Sequence, residues 1–188
     1  MKILAIGASG EIGSIITPIL KEKNEVVTAE RSSGDFRVDI SSAASIKNLY
    51  RQTGRLDAVV NFAGNSISLP LTEMEEEKYY FNIAQKLLPQ INLVLTGLDY
   101  VNDNGSFTLI SGIVGEKPKA GTSGKSIANG AVNSFVLSAS LEMPRGVRLN
   151  VISPALVKKI PAADMIAGYL KSLETLINGE IIRIGYDL

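Results

Sequence analysis

Apolar positions along the chain alternate between two spacings. Short continuous runs suit buried strands, and longer stretches with an apolar residue every three or four positions suit helices. Ile3, Leu4 and Ile6 form the first run; Ile12, Ile15, Ile16, Ile19 and Leu20 then recur at helical spacing. The same logic predicts strands over 25–28, 36–40, 56–60, 107–111, 147–152 and 181–184. Helices are predicted after Ser41, placed as an N-cap ahead of Ile46, Leu49 and Tyr50, and in a region opened by Pro70 and Thr72. Further helices are expected over 82–100, 125–142 and 162–176. In the first of these, Leu87, Leu88, Ile91, Leu95 and Leu98 are the expected buried face. Turns are expected at Asn104-Gly105 and Asn178-Gly179, and a loop over 112–124.

Strands alternating with helices throughout imply an α/β domain, its mostly parallel sheet covered on both faces. Right-handed crossovers with a switch point beside the first strand make it a three-layer, doubly wound Rossmann fold of about seven strands. No linker or repeat divides the sequence, so residues 1–188 are expected to form one domain.

Composition narrows the chemistry. Nineteen basic residues balance nineteen acidic ones, so no basic excess points to nucleic acid or an anionic membrane. No apolar run approaches the roughly 20 residues of a membrane span, and the chain enters its first strand without a leader-like segment. With no cysteine, disulfides and thiol chemistry are excluded, which fits a cytoplasmic protein. With no histidine either, Ser-His-Asp catalysis and most zinc chemistry are excluded, and no metal is expected.

The strongest candidate site lies at the first strand–helix junction, where Gly7, Gly10 and Gly13 follow one another at three-residue spacing. A glycine turn there aims backbone N–H groups and the positive end of a helix at one point, where a pyrophosphate can sit. Ser9, Glu11 and Ile12 complete this loop as expected cofactor contacts. Glu30 and Arg31 follow the second strand, where a dinucleotide site meets the adenosine ribose. Glu30 suits the ribose hydroxyls of NAD; Arg31, with Ser32 and Ser33, suits the 2′-phosphate of NADP. Past the fourth strand, Asn61-Phe62-Ala63-Gly64 falls where an open parallel sheet places its ligand crevice.

Together these features resemble the short-chain dehydrogenase/reductase family along nearly the whole chain. The matching pieces are the glycine turn, Asp39 after the third strand, and the Asn61–Gly64 stretch. Gly105-Ser106-Phe107-Thr108-Leu109-Ile110-Ser111 and Arg148-Leu149-Asn150-Val151-Ile152-Ser153-Pro154 resemble the family's fifth and sixth strands. The resemblance implies that Asp39, with Ile40 beside it, meets the adenine, and that Asn61, Ala63 and Gly64 pass the nicotinamide-side ribose, with Pro154 a further contact. It also implies NADP, or else NAD, as cofactor, and hydride transfer between that cofactor and a small carbonyl or alcohol. In the family, the long helix and the helix after Gly124 commonly pair across a twofold axis, which implies a homodimer or homotetramer here.

The chain departs from the family's usual serine, tyrosine and lysine. Lys125 falls at the tyrosine position, Asn129 at the lysine position, and Gly112 at the serine position. Ser111 lies one residue earlier and is expected to face away, and Lys86 replaces an asparagine of the long helix. Lys125, Asn129, Ser111 and Lys86 are therefore the candidate catalytic residues. A lysine ammonium can stabilise an oxyanion, or donate a proton if desolvation lowers its pKa. Two functions stay open: an oxidoreductase with a non-standard proton donor, or a cofactor-binding regulatory or scaffold protein without turnover.

Overall fold

The computed structural model describes residues 1–187. Its strands are β1 (Lys2–Ile6), β2 (Glu25–Glu30), β3 (Phe36–Arg37), β4 (Leu56–Asn61), β5 (Val101–Ile110), β6 (Arg148–Pro154) and β7 (Ile181–Ile184). Its helices are α1 (Gly13–Lys21), α2 (Ala43–Thr53), α3 (Glu76–Asn82), α4 (Leu88–Gly97), α5 (Ser123–Ala139) and α6 (Ala162–Glu174). All strand pairs are parallel, in the order β3-β2-β1-β4-β5-β6-β7. Because β1 pairs with both β2 and β4, the order reverses at its C-terminal end, and the glycine turn leaves the sheet there.

Alternation along β1 sends its side chains to two separate cores. Leu4 and Ile6 pack with Ile46, Leu49 and Tyr50 of α2, Leu93 and Val94 of α4, and Val132 and Val136 of α5. Ile3 points the other way, toward Ile16 and Leu20 of α1 and Met165, Tyr169 and Leu173 of α6. Each such side chain contributes about 1.5–3 kcal/mol by leaving water, which fixes the strand ends that carry the site.

Several expected boundaries move, each for a local reason. The third strand is two residues long rather than 36–40, since it is an edge strand that pairs only with the end of β2. Ser42, not Ser41, caps α2 by accepting the Ser45 N–H; the Ser41 hydroxyl donates instead to Asp39. The fifth strand begins at Val101, and Asn104-Gly105 is not a turn between elements. It is an irregularity inside the strand, with Asn104 at φ 60° and a register shift against β4. The strand ends at Ile110, which leaves Ser111 outside the pleat.

The long helix differs most. It starts at Glu76 and passes through a π-helical turn, Ile83–Leu87, before α4. Proline at position 89 has no N–H for the preceding turn and crowds the carbonyl four residues back, that of Gln85. The π turn absorbs this mismatch, with the Leu88 N–H bonded to Ile83 O, and the freed Gln85 carbonyl accepts the Asn65 N–H at 3.1 Å. The buried face of α4 is Pro89, Gln90, Leu93, Val94 and Gly97, whereas Leu88 and Leu95 are 47% and 58% exposed. The helix is apolar nearly all round, so spacing alone did not choose its face. Gln90 can face the core because its amide is fully bonded, and Gly97 because a Cβ there would come within 2.6 Å of the Tyr50 hydroxyl.

Candidate functional site

At the glycine turn, Gly7 takes φ 80° and donates its N–H to Ala29 O, tying the turn to β2. A Cβ on Gly7 would press on Ala63, at 3.0 Å from its Cβ, so this glycine also admits the loop after β4. Gly10 and Gly13 let the chain fold tightly back on Gly7 and Ala8. A Cβ on Gly13 would lie 2.3 Å from Gly7 O. Among the described residues, the Glu11 and Ile12 N–H groups meet no backbone or side-chain acceptor. Two free donors at the N-terminus of α1 suit a pyrophosphate, so the turn fits the group it is expected to hold.

A cleft of about 450 Å³ opens over this turn. Gly7, Ser9, Gly10, Arg31, Ser32 and Ile40 line it, as do Ala63 and Gly64 across the switch point. Phe62, within the expected Asn61–Gly64 stretch, lines it too, as do Val38, Asn65 and Gln85, which were not among the expected contacts. Glu30 reaches across the turn: its carboxylate accepts the Ser9 N–H at 2.7 Å and the hydroxyls of Ser9 and Ser33. The Ser33 hydroxyl, then that of Ser9, hold its carboxyl below the usual carboxylate range. Arg31 is largely exposed and lies 3.6 Å from Asp39. The Ser41 hydroxyl and N–H hold the Asp39 carboxyl below its ordinary value as well.

Two expected contacts act from beneath the cleft. Gly13 packs against the backbone of Gly7 and Ala8 and does not line this cleft. Asn61 is fully buried, its amide donating to Ala63 O at 2.8 Å and accepting the Ala63 N–H at 3.1 Å. It shapes the Phe62–Gly64 loop rather than facing a ligand.

Phe62 and Gly64 also border a second cavity of about 640 Å³. This cavity collects the remaining candidates: Glu11, Ile12 and Pro154 from the cofactor set, and Lys86, Ser111, Lys125 and Asn129 from the catalytic set. Ser111, expected to face away, lines it beside Gly112, because alternation no longer applies past the end of β5. Its Oγ is enclosed and, among the described residues, has no partner, as is true of Asn129 Oδ1. Asn129 Nδ2 donates to Lys125 O at 2.8 Å.

Lys86 is only 6% exposed and sits in the π turn, a distortion common at functional sites. Its stem crosses Gly64, where a Cβ would come within 2.8 Å of Lys86 Cδ and 3.3 Å of Nζ. Burial, and then the charge of Lys125, lower its pKa from 10.5 to about 8. Its proton is therefore held less tightly than that of an exposed lysine.

Buried amides hold this wall together, and hydrophobic spacing gives no sign of them. Gln90 Nε2 donates to Lys86 O at 2.9 Å and Ile110 O at 3.0 Å, and its Oε1 accepts Asn61 Nδ2 at 3.1 Å and the Ile110 N–H at 2.8 Å. Asn82 accepts the Ile67 N–H at 2.8 Å, pinning the loop after β4 to the long helix. A polar residue inside an apolar helix, as at Gln90, is the sequence signal that points to such a network. Among the described residues, no group of acidic side chains could hold a metal, and no helix is long and apolar enough to cross a membrane.

A family model described as enoyl-(acyl carrier protein) reductase matches residues 14–183. No curated protein matches the chain significantly. Among solved structures, the protein lin1944 from Listeria innocua is 44% identical over 97% of this chain and 98% of its own, with a TM-score of 0.93. A small-chain dehydrogenase crystallised with NADPH is 22% identical over 97% of this chain and 95% of its own, with a TM-score of 0.87. A short chain dehydrogenase from Mycobacterium smegmatis is 20% identical over 100% and 92%, with a TM-score of 0.88; at these two identities the likeness is one of fold. The family model spans nearly all of a chain whose switch point already carries a dinucleotide-type cleft, and the chain belongs to the short-chain dehydrogenase/reductase family.

Proposed function

We propose that the protein is an NADP(H)-preferring oxidoreductase acting on a small carbonyl or alcohol. The observation that carries this reading is the meeting of the two cavities at Phe62 and Gly64, with the Lys86 stem lying across Gly64. A dinucleotide on the glycine turn would reach from the first cavity into the second, and a nicotinamide there supplies hydride chemistry. The chain must then manage charge at the substrate oxygen. Lys86 donates the proton in the reductive direction, since it is buried at the junction and its pKa lies near 8. Asn129, one helical turn beyond Lys125, holds the neighbouring ribose and carbonyl, and Ser111 offers a hydroxyl to the same space. Arg31, Ser32 and Ser33 receive a 2′-phosphate at the other end.

Glu30 favours a second reading. Its ionised carboxylate, drawn to the turn by Ser9 and Ser33, would accept ribose hydroxyls and repel a 2′-phosphate, which favours NAD(H). Fluorescence titration with NADPH and NADH separates the two. NADPH is expected to bind at least about tenfold more tightly, with Arg31→Ala removing the difference, as loss of a charged phosphate contact should. Tighter NADH binding that weakens in Glu30→Gln would give the site to NAD(H). Binding of neither cofactor would sink the proposal. Tight NADPH binding with no turnover across aldehydes, ketones and quinones would leave a non-catalytic cofactor-binding role.

The same reading includes a homodimer. Leu88 and Leu95 of α4 and Ile127 of α5 are exposed, each roughly half accessible, on the two helices expected to pair. Leu87 and Leu98, on the expected buried face of the long helix, pack partly on the core, as does Phe135 of α5. Sedimentation velocity at micromolar concentration should show a dimer or tetramer that Leu95→Glu dissociates; a wild-type monomer contradicts it.

A further inference from the structure

Four lysines reach the second cavity from four separate segments of chain. Lys86 comes from the π turn, Lys119 from the loop after β5, Lys125 from the start of α5, and Lys159 from the turn after β6. Among the described residues, Glu11 is the only acidic one lining the cavity. In a chain whose charges balance at nineteen of each sign, this is a local excess of three positive charges, four lysines less one glutamate. Among the described residues, none of the four ammoniums belongs to an ion pair, although five such pairs occur elsewhere. Exposure falls along the approach: Lys119 and Lys159 are exposed, Lys125 is half-buried and Lys86 is buried.

Converging unpaired charges of one sign repel each other, and the repulsion grows as water is excluded. An arrangement of this kind draws in an anion and holds it. The cavity is not merely polar, however. Ile110, Ile113, Leu156 and Val157 also line it, so the molecule it suits has an apolar body as well as a charged end. Lysine gives a point charge without the flat fork of arginine, which suits an acid group approached from several directions.

We propose that the second cavity binds a small organic anion, with Lys119, Lys125 and Lys159 taking its acid group and Lys86 left for the reacting oxygen. This names the substrate class of the reductase reading above and rests on it. The charge sensitivity of the cavity can nonetheless be measured without turnover.

The probes are 4-methyl-2-oxopentanoate and its methyl ester, which share a carbon skeleton and differ in charge. Each is titrated calorimetrically into the protein alone and into the protein saturated with NADP⁺, which does not reduce a ketone. The acid is expected to bind about tenfold more tightly than the ester, the difference a charged contact makes. Lys125→Met and Lys119→Met should each cut that ratio severalfold. Lys171→Met, at a surface pair with Glu180 outside the cavity, should leave it unchanged. Equal binding of acid and ester overturns the proposal, as does a preference that survives both cavity substitutions or the absence of binding by either probe. If the acid is preferred but NADP⁺ and NADPH fail to bind, the anion site stands and the oxidoreductase reading falls.

Discussion

Gly13→Ala should destabilise the protein by about 3 kcal/mol, the upper part of the range for overpacking a tight site. It should also weaken NADPH binding by about two orders of magnitude. The added methyl would stand 2.3 Å from Gly7 O and 2.7 Å from both Ala8 Cα and Ala8 O. All three are backbone atoms, so no side chain can rotate aside; either α1 moves away from β1 or the turn opens. Both movements carry the free Glu11 and Ile12 N–H groups away from the point they share. Losing two hydrogen bonds to a charged phosphate, at the lower end of roughly 1.5–3 kcal/mol each, gives the predicted loss of affinity. Urea unfolding and a fluorescence titration measure the two effects separately. Gly54→Ala is the control, since a Cβ at Gly54 meets nothing within 4 Å, although its φ is positive, 67°, as that of Gly13 is not. It should cost about 2–3 kcal/mol, because φ 67° with ψ −149° is a conformation that essentially only glycine adopts, and it should leave binding unchanged. A Gly13→Ala protein that binds NADPH like the wild type would mean that the close approach of α1 does not build the site.

This contrast bears on how far the sequence was legible. Gly13 could be read because the glycine turn is local, its three positions fixed by one strand end and one helix start. The strands were legible for the same reason, as buried parallel strands announce themselves in continuous apolar runs. The cofactor cleft followed, since its walls at residues 7–10, 31–32 and 63–64 come from loops directly after those strands. The second cavity was legible only by position. Lys86, Lys125 and Asn129 were expected at one crevice and Ser111 was expected to face away, yet all four line one cavity. That the lysines form an unpaired set with Lys119 and Lys159 depends on where two loops return, which no short-range spacing encodes.

The long helix was misjudged because its information is carried by residues that a search for apolar stripes passes over. Pro89 sets the π turn and frees the Gln85 carbonyl for Asn65. Gln90 and Gly97 occupy core positions that an apolar stripe would give to leucine, and leucines take the outer face instead. A helix apolar on all sides has no periodicity from which to choose. The choice falls to the few polar or small residues that only one environment can satisfy.

Gln90→Leu is the direct test of that account, and it should cost about 4 kcal/mol. The leucine fills a similar volume but returns nothing to the groups Gln90 serves. Lys86 O, Ile110 O and the Ile110 N–H would each lose their Gln90 bond, and all three lie at a fully buried amide. Asn61 Nδ2 would keep only its bond to Ala63 O. Each buried group left unsatisfied costs about 1–3 kcal/mol, and three of them give the predicted sum. The effect should reach the site, because Ile110 is the last residue of β5 and Lys86 O belongs to the π turn. With both released, the wall carrying Ser111 and the residue carrying Lys86 lose their common anchor. The midpoint in urea should fall with little change in slope, and the preference for the acid probe over its ester should shrink. NADPH affinity should fall less than in Gly13→Ala, since the hydrogen bonds of Gln90 go to Asn61, Lys86 and Ile110 rather than to the glycine turn. A loss of under about 1 kcal/mol would mean that solvent or a shifted helix replaces these bonds, and that the buried amide is not what holds the cavity wall.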